Sequence, residues 1–277
     1  MQTRRWTAFP HPDSAFQYDD HALAAAWNEL HRGDCEPFPD AERVARLDPD
    51  NPDPGSTATA WQQAWRDYHA GRFAEAVEAA LAIGPLAHAV ANKAGGIYAD
   101  YLEDNEKTRL AIYQAGIARA ETAIKAYPDD ANAHYFHAFL LGRYSQCISV
   151  ARALAQGVGG RIRQSLDRAL ELAPGHAEAR TASGLYHAEI IDKVGKLVGG
   201  MTYGAKAEQA VAECQTALKL TPAAPIAHIE YGNALYLLYG DKRLDDSNRC
   251  YEQAAAIKPI DAMQKLDVEY AKSYLAS

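Results

Sequence analysis

Cysteines, basic residues and long apolar runs are scarce in this 277-residue sequence, and each shortage argues against a class of protein. The four cysteines are far apart and form no C-x-x-C pair, which argues against a zinc knuckle or a disulfide framework. No run of about 18 apolar residues occurs, so we expect no membrane span. The opening MQTRRWTAFP has no apolar stretch after its arginines and is unlike a signal peptide. These features predict a cytoplasmic protein. The cysteines are Cys35, Cys147, Cys214 and Cys250.

The charge is acidic and unevenly distributed. The formal net charge is -8, and residues 1–55 hold 5 Arg, no Lys and 11 Asp and Glu. Proteins that bind nucleic acid neutralise phosphates with a basic surface, and no basic stripe is visible here. We therefore expect no nucleic-acid partner.

A repeated turn organises most of the chain. Five times an Ala is followed five residues later by a Pro, and a small residue stands ten positions after four of these prolines. Pro ends a helix because it has no N–H to donate, and the small residues let two helices approach closely. The spacing predicts an all-α array of stacked helix pairs. The pairs are Ala80–Pro85, Ala123–Pro128, Ala169–Pro174, Ala217–Pro222 and Ala254–Pro259, followed by the small residues Gly95, Ala138, Gly184 and Gly232.

This pattern resembles the tetratricopeptide repeat (TPR) over about residues 56–259. The resemblance implies a right-handed TPR-like α-solenoid of about five helix pairs, closed by a C-terminal capping helix over Asp261–Ala276. The stretches HYFHAFLLGRYSQ (His134–Gln146) and AKAEQAVAECQTALKLTP (Ala205–Pro222) also resemble two narrower groups. One is the TPR proteins associated with bacterial TRAP-type transporters. The other is the regulator-of-microtubule-dynamics family and its bacterial relatives.

The chain divides by composition into an acidic, Pro-rich N-terminal arm, residues 1–55, and a TPR-like helical repeat domain, residues 56–277. The arm carries 7 of the 13 prolines, one clear helix over His21–His31, and enough large aromatic residues to predict that it packs on the repeats. A flexible acidic leader is the alternative. In the repeats the pattern predicts helices over Trp61–Ala70, Phe73–Ile83 and Lys107–Tyr127.

Two repeats are longer than the rest. Pro128, Pro174 and Pro222 follow one another at 46 and 48 residues, whereas a TPR unit has about 34. The extra residues include the Gly-rich stretches QGVGG (residues 156–160) and GKLVGGMTYG (residues 195–204). Neither has the preceding strand or the Lys-Ser/Thr ending of a phosphate-binding loop. We predict two insertions that form lips on one edge of the repeats.

The candidate binding residues follow from the first helix of each TPR-like pair, the A helix, which lines the concave groove in the TPR family. Positions 7, 11 and 14 or 15 after the repeat Pro lie on one helix face. We predict that this face binds a protein or peptide partner, or a small amphipathic ligand, unless the arm or the insertions fill it. The candidates are Asn92, Tyr135, Phe139, Arg143, Thr181, Leu185, Glu189, Ile229, Asn233 and Tyr236, and Gly96 and Asp100 share their register.

The functional hypothesis is a non-catalytic interaction scaffold or accessory binding protein without cofactors. The alternatives are a small-ligand carrier and an enzyme or metal-binding protein. The enzyme or metal-binding alternative would use the His-rich helices. Arg180 argues against it, because it occupies the position equivalent to His134 and His228 and a cation among metal ligands is unfavourable. A clamp for a peptide carboxylate is disfavoured because Asp100 and Glu189 would repel it. The four histidines considered are His134, His137, His187 and His228.

Overall fold

A computed structural model describes residues 6–277, and helices are the only regular secondary structure among them. The predicted all-α class is therefore confirmed. The first five residues of the predicted arm lie outside the described residues. No helix in the described part is long and apolar enough to cross a membrane. The helices are α1 (Asp20–Leu30), α2 (Ala41–Leu47), α3 (Pro54–His69), α4 (Phe73–Ile83), α5 (His88–Tyr101), α6 (Glu106–Ala126), α7 (Ala131–Gln146), α8 (Val150–Ala155), α9 (Val158–Leu172), α10 (Ala177–Val194), α11 (Lys196–Tyr203), α12 (Ala207–Leu220), α13 (Pro225–Tyr239), α14 (Leu244–Ala256) and α15 (Ala262–Ala276).

The described chain forms two compact units. The first contains α1 to α7, and within it α3 packs on α4, α4 on α5, α5 on α6 and α6 on α7. The second contains α8 to α14, and within it α10 packs on α9, α12 and α13, and α13 on α14. The first unit comprises residues 6–31, Glu36–Cys147 and Ile260–Met263, and the second comprises Arg32–Cys35, Ile148–Pro259 and Gln264–Ser277.

The repeat Ala residues are all buried, as close helix packing requires. Four of them also close their helix, because the N–H of the residue before the Pro donates to the Ala carbonyl. Pro itself could not make that bond, so the helix ends at this place. The bonds join Gly84 to Ala80 (3.1 Å), Tyr127 to Ala123 (2.7 Å), Ala173 to Ala169 (2.9 Å) and Thr221 to Ala217 (2.9 Å).

The small residues ten positions after the Pro face the partner helix of their pair. A Cβ added to Gly184 in α10 would lie 2.4 Å from the Cys214 Sγ and 2.9 Å from the Ala210 carbonyl oxygen of α12. A Cβ on Gly232 in α13 would lie 3.1 Å from the Ser247 carbonyl oxygen of α14. The two backbones approach so closely that only glycine fits without a shift.

The structure corrects the start of one predicted helix and defines the two insertions. Helix α3 begins at Pro54 instead of near Trp61, because Asp53 caps it by accepting a hydrogen bond from the Ser56 N–H (3.0 Å). The Gly-rich insertions, which we predicted as lips, contain the short helices α8 and α11. Gly157, Gly195 and Gly204 have positive φ and separate these helices from their neighbours.

Residues 6–31 and 36–55 belong to the first unit and pack on its helices. The Trp27 ring meets Trp65 of α3 edge to face with centroids 5.9 Å apart, and its indole N–H donates to the Glu36 carbonyl (2.7 Å). Asn132 of α7 donates to the Glu36 carboxylate (2.7 Å), and that carboxylate also pairs with Arg43 (2.8 Å). The exact division of arm from repeats at residue 55 stays a prediction.

The C-terminal chain contributes to each unit separately. In the first, Asp261 Oδ2 lies 2.9 Å from His69 Nδ1. In the second, Ala271 of α15 packs into an apolar cluster with residues of α13 and α14, and Tyr274 stacks on Tyr251 with centroids 3.8 Å apart. Helix α15 therefore covers apolar surface of α13 and α14.

Candidate functional site

In the first unit, the predicted binding positions of α5 and α7 touch each other. A Cβ on Gly96 would lie 2.4 Å from Cε1 of Phe139, so the Phe139 ring covers the backbone of α5. One turn further along, Arg143 Nε is 3.2 Å from Asp100 Oδ2. The Arg143 guanidinium also lies 5.6 Å from the centroid of the Phe139 ring. We call these four residues the first-unit face.

Two further candidates, Asn92 and Tyr135, are buried and add nothing accessible to this face. Asn92 is buried, and its side-chain oxygen accepts a hydrogen bond from Arg119 Nε (3.0 Å). Tyr135 is also buried and stacks on Phe139 with centroids 6.2 Å apart. Phe139 and Arg143 are partly exposed, so they form the accessible part of the face.

Asp100 balances the positive charge of the first-unit face. Its carboxylate pairs with Arg143 and lies 3.4 Å from the Tyr113 hydroxyl. Burial, and then the nearby Asp100 charge, raise the pKa of Tyr113, so this hydroxyl stays protonated at neutral pH. Arg143 is therefore already paired, which agrees with the argument against a carboxylate clamp.

In the second unit, α10 and α13 carry the corresponding positions and pack side by side. Thr181 and Ile229 are buried, and the Thr181 hydroxyl donates to the Ala177 carbonyl of its own helix (3.0 Å). The other four residues are at least partly accessible, and the Tyr236 side chain is 48% exposed. We call these four, Leu185, Glu189, Asn233 and Tyr236, the second-unit face.

The polar side chains of the second-unit face are held in place by neighbours. The Asn233 amide donates to Glu230 (2.8 Å), and its oxygen accepts from the Tyr251 hydroxyl (2.6 Å). Burial and the neighbouring Tyr270 raise the pKa of Tyr251, which keeps that hydroxyl a donor. Glu189 pairs with Lys193 (3.2 Å). These bonds orient groups that a partner could contact.

Two of the four histidines considered as metal ligands, His134 and His228, make local contacts. The ring nitrogen Nε2 of His134 is 2.8 Å from the Pro128 carbonyl oxygen, and that of His228 is 2.9 Å from the Pro222 carbonyl oxygen. Arg180 donates in the same way to the carbonyl of Pro174 (Nε, 3.0 Å). The residue six positions after the repeat Pro therefore bonds back to that Pro in three repeats. Among residues 6–277, no three His, Cys, Asp or Glu side chains are placed to hold a metal.

Sequence reasoning considered His187 only as a metal ligand, and it missed the buried polar pair that His187 makes up with Tyr186 on α10. The Tyr186 hydroxyl and His187 Nδ1 are buried and have no hydrogen-bond partner within the described chain. Burial, and then Arg163, lower the pKa of His187, while burial raises the pKa of Tyr186 to about 12, so both groups are neutral near pH 7. Burial and missing partners depend on tertiary neighbours, so the sequence carried no signal for this pair. Such groups ordinarily bind water or a ligand.

The comparison with protein families concerns the middle of the chain. Residues 86–222 match the family model described as Regulator of microtubule dynamics protein 1-3. The match covers just under half of the chain and runs from the start of α5 to the end of α12. No curated protein matches the chain.

The match to the Regulator of microtubule dynamics protein 1-3 family model includes both stretches that carried the resemblance in the sequence, His134–Gln146 and Ala205–Pro222. It therefore supports that resemblance. It also includes the two insertion helices and the Tyr186–His187 pair. The resemblances to the TPR family and to TRAP-transporter-associated proteins stay predictions.

Proposed function

We propose that this protein is a non-catalytic binding protein that receives a protein or peptide partner on its A-helix faces. The proposed architecture is the right-handed TPR-like solenoid, in which A helices line the binding surface. Its support is the contact of Gly184 with α12 and of Gly232 with α14, at the positions where the repeat places them.

The observation that carries the proposal is the composition of the second-unit face. It combines an accessible aromatic side chain, Tyr236, with polar groups already oriented by their neighbours, Glu189 and Asn233. Binding energy concentrates in aromatic and other large side chains, and oriented polar groups beside them give specificity. The polar side chains of both faces already pair with neighbouring side chains. Such paired groups are better suited to recognising a partner than to transferring protons in catalysis.

The partner class also draws on the family comparison. The description of the matched family names microtubule dynamics, so microtubules are the first protein partner to test. Co-sedimentation of the full chain with polymerised tubulin, with unpolymerised tubulin as the control, tests this directly. The chain remaining in the supernatant would remove microtubules as the partner.

A small-ligand carrier is the second candidate, and the Tyr186–His187 pair favours it. Two neutral, buried polar atoms without protein partners can bind a small polar molecule. Thermal-shift screening against small carboxylic acids should then raise the melting temperature of the wild type but not of Tyr186→Phe with His187→Phe. Equal shifts in both proteins would exclude this site.

Peptide binding by the second-unit face can be measured without knowing the natural partner. Peptides selected from a random library against the full chain should lose about 1 to 3 kcal/mol of binding free energy on Tyr236→Ala. Fluorescence anisotropy measures the loss. Leu275→Ala removes another exposed apolar side chain of the same unit, in α15, and should leave affinity unchanged. In the first unit, Arg143→Ala is the matching probe, because Tyr135 is buried.

A selected peptide that binds Tyr236→Ala, Arg143→Ala and wild type equally would place the binding surface elsewhere.

We place the protein in the cytoplasm, and the four unpaired cysteines support this location.

A further inference from the structure

The two insertions hold a local concentration of positive charge in an acidic chain. Residues 148–166 contain three Arg and residues 193–207 contain three Lys, and neither segment contains an Asp or Glu. Both segments belong to the second unit. The six cations are Arg152, Arg161, Arg163, Lys193, Lys196 and Lys206.

Helix α11 presents its large apolar side chains to solvent, unlike an ordinary surface helix. Its buried residue is Gly199, where a Cβ would lie 3.2 Å from Ile190 of α10. The apolar side chains of Leu197 and Met201 lie about 160° around the helix from Gly199, by the 3.6-residue period, and are 76% and 81% exposed. A surface helix normally turns its apolar residues toward the core. Here the glycine faces the protein and the large apolar residues face solvent.

Helix α8 also presents apolar side chains to solvent. None of its residues is buried. Val150 and Leu154, four residues apart on one helix face, are both exposed, and Arg152 lies between them in the sequence. Each insertion therefore presents an exposed apolar pair. Lys196 precedes the pair of α11 directly, whereas Arg152 lies on the opposite side of α8 from its pair.

The two insertions meet within the second unit. A Cβ on Gly159, in the first turn of α9, would lie 3.1 Å from Cε1 of Tyr203 at the end of α11. A Cβ on Gly204 would lie 3.6 Å from Arg163 Nη1. The start of α9, directly after α8, is thus in contact with the end of α11, and this contact joins the two insertions.

We propose that this region, α8 with α11, is a peripheral docking surface for an anionic lipid membrane. Protruding Leu, Val and Met side chains enter the boundary between headgroups and acyl chains, while flanking Lys and Arg attract lipid phosphates. Arg163 pairs with Asp167 (2.8 Å) and Lys193 with Glu189 (3.2 Å), so these two cations contribute less. Lys196 lies 3.8 Å from Glu208, and both of these side chains are more than 70% exposed. Exposed pairs of this kind are weak and leave the cation available.

A lipid surface fits these observations better than a protein partner. A protein partner needs a complementary surface, with pockets that match each apolar side chain. A bilayer accepts protruding apolar side chains in any arrangement, provided that cations flank them. The two short helices supply protruding side chains and cations, and the proposal is independent of peptide binding by the A-helix faces.

Vesicle flotation tests the proposal with the full chain. Vesicles of equal parts phosphatidylglycerol and phosphatidylcholine should carry the wild type upward, and vesicles of phosphatidylcholine alone should carry much less. Leu197→Glu with Met201→Glu should reduce the bound fraction about tenfold or more. Lys196→Glu with Lys206→Glu should also weaken binding, and raised salt should mimic that loss.

Leu81→Glu is the matched control, because Leu81 is an exposed apolar residue of α4 in the other unit. It should bind vesicles like the wild type, and circular dichroism should show unchanged helix content in every variant. Equal binding of the wild type to both vesicle types, or wild-type binding by Leu197→Glu with Met201→Glu, would overturn the proposal. Tyr236→Ala should bind vesicles normally, so that failure of the peptide site and failure of the lipid site remain distinguishable.

Discussion

Trp27→Ala is expected to lower the free energy of unfolding of the first unit by about 3 to 5 kcal/mol. Trp27 is only 4% exposed, stacks on His31 with centroids 4.0 Å apart, and meets Trp65 edge to face. The substitution leaves a large cavity and leaves the Glu36 carbonyl without the indole donor. Urea denaturation followed by circular dichroism measures the change.

Asn28→Ala is the control for this prediction, since Asn28 is exposed on the same helix. It should change the free energy of unfolding by less than about 0.5 kcal/mol. Limited proteolysis should also cut residues 6–55 faster in Trp27→Ala than in the wild type. If both variants unfold at the same urea concentration, residues 6–55 are a loosely attached leader and not part of the folded unit.

Gly184→Leu is expected to destabilise the second unit by about 3 kcal/mol, at the upper end of the usual cost of overpacking. Even a Cβ would lie 2.9 Å from the Ala210 carbonyl oxygen, and a backbone atom can yield only if α12 moves. The Cys214 Sγ, at 2.4 Å from that Cβ, has no free space to enter because Cys214 is itself buried. Thermal and urea denaturation of the full chain measure the loss.

Gly160→Ala is the matched control, because Gly160 also lies in a helix of the second unit but has no neighbour within 4 Å of its Cβ position. We expect this substitution to stabilise the protein by about 0.5 to 1 kcal/mol, since alanine favours the helix over the unfolded chain. Stabilisation of the protein by Gly184→Leu, as by Gly160→Ala, would mean that helix propensity outweighs the contact with α12 and would contradict the prediction.

Sequence and structure agree most closely at the repeat turns. Helix α4 spans Phe73–Ile83 as predicted, and α6 differs from its predicted bounds by one residue at each end. The Ala and Pro positions determine these bounds locally, through the last helical hydrogen bond and the missing N–H. Helix α3 was placed wrongly at its start because a Pro-rich stretch looks like a linker, although Asp53 and Pro54 together begin a helix.

The sequence predicted the candidate faces only in part. The helical period placed their residues on one side of each A helix, and the Gly96–Phe139 and Asp100–Arg143 contacts follow that register. Periodicity could not separate accessible from buried positions, so the buried Asn92 entered the list on equal terms with the partly exposed Phe139 and Arg143.

The sequence by itself determined what depends on near neighbours in the chain: the all-α class, the repeat turns and the small residues at helix contacts. Only the tertiary structure decided which groups are buried and which are left outside. The outward apolar face of α11 depends on Gly199 packing against Ile190, and the unpartnered Tyr186–His187 pair depends on several helices at once. Both depend on how separate helices pack against one another, and the local pattern of a single helix does not encode that.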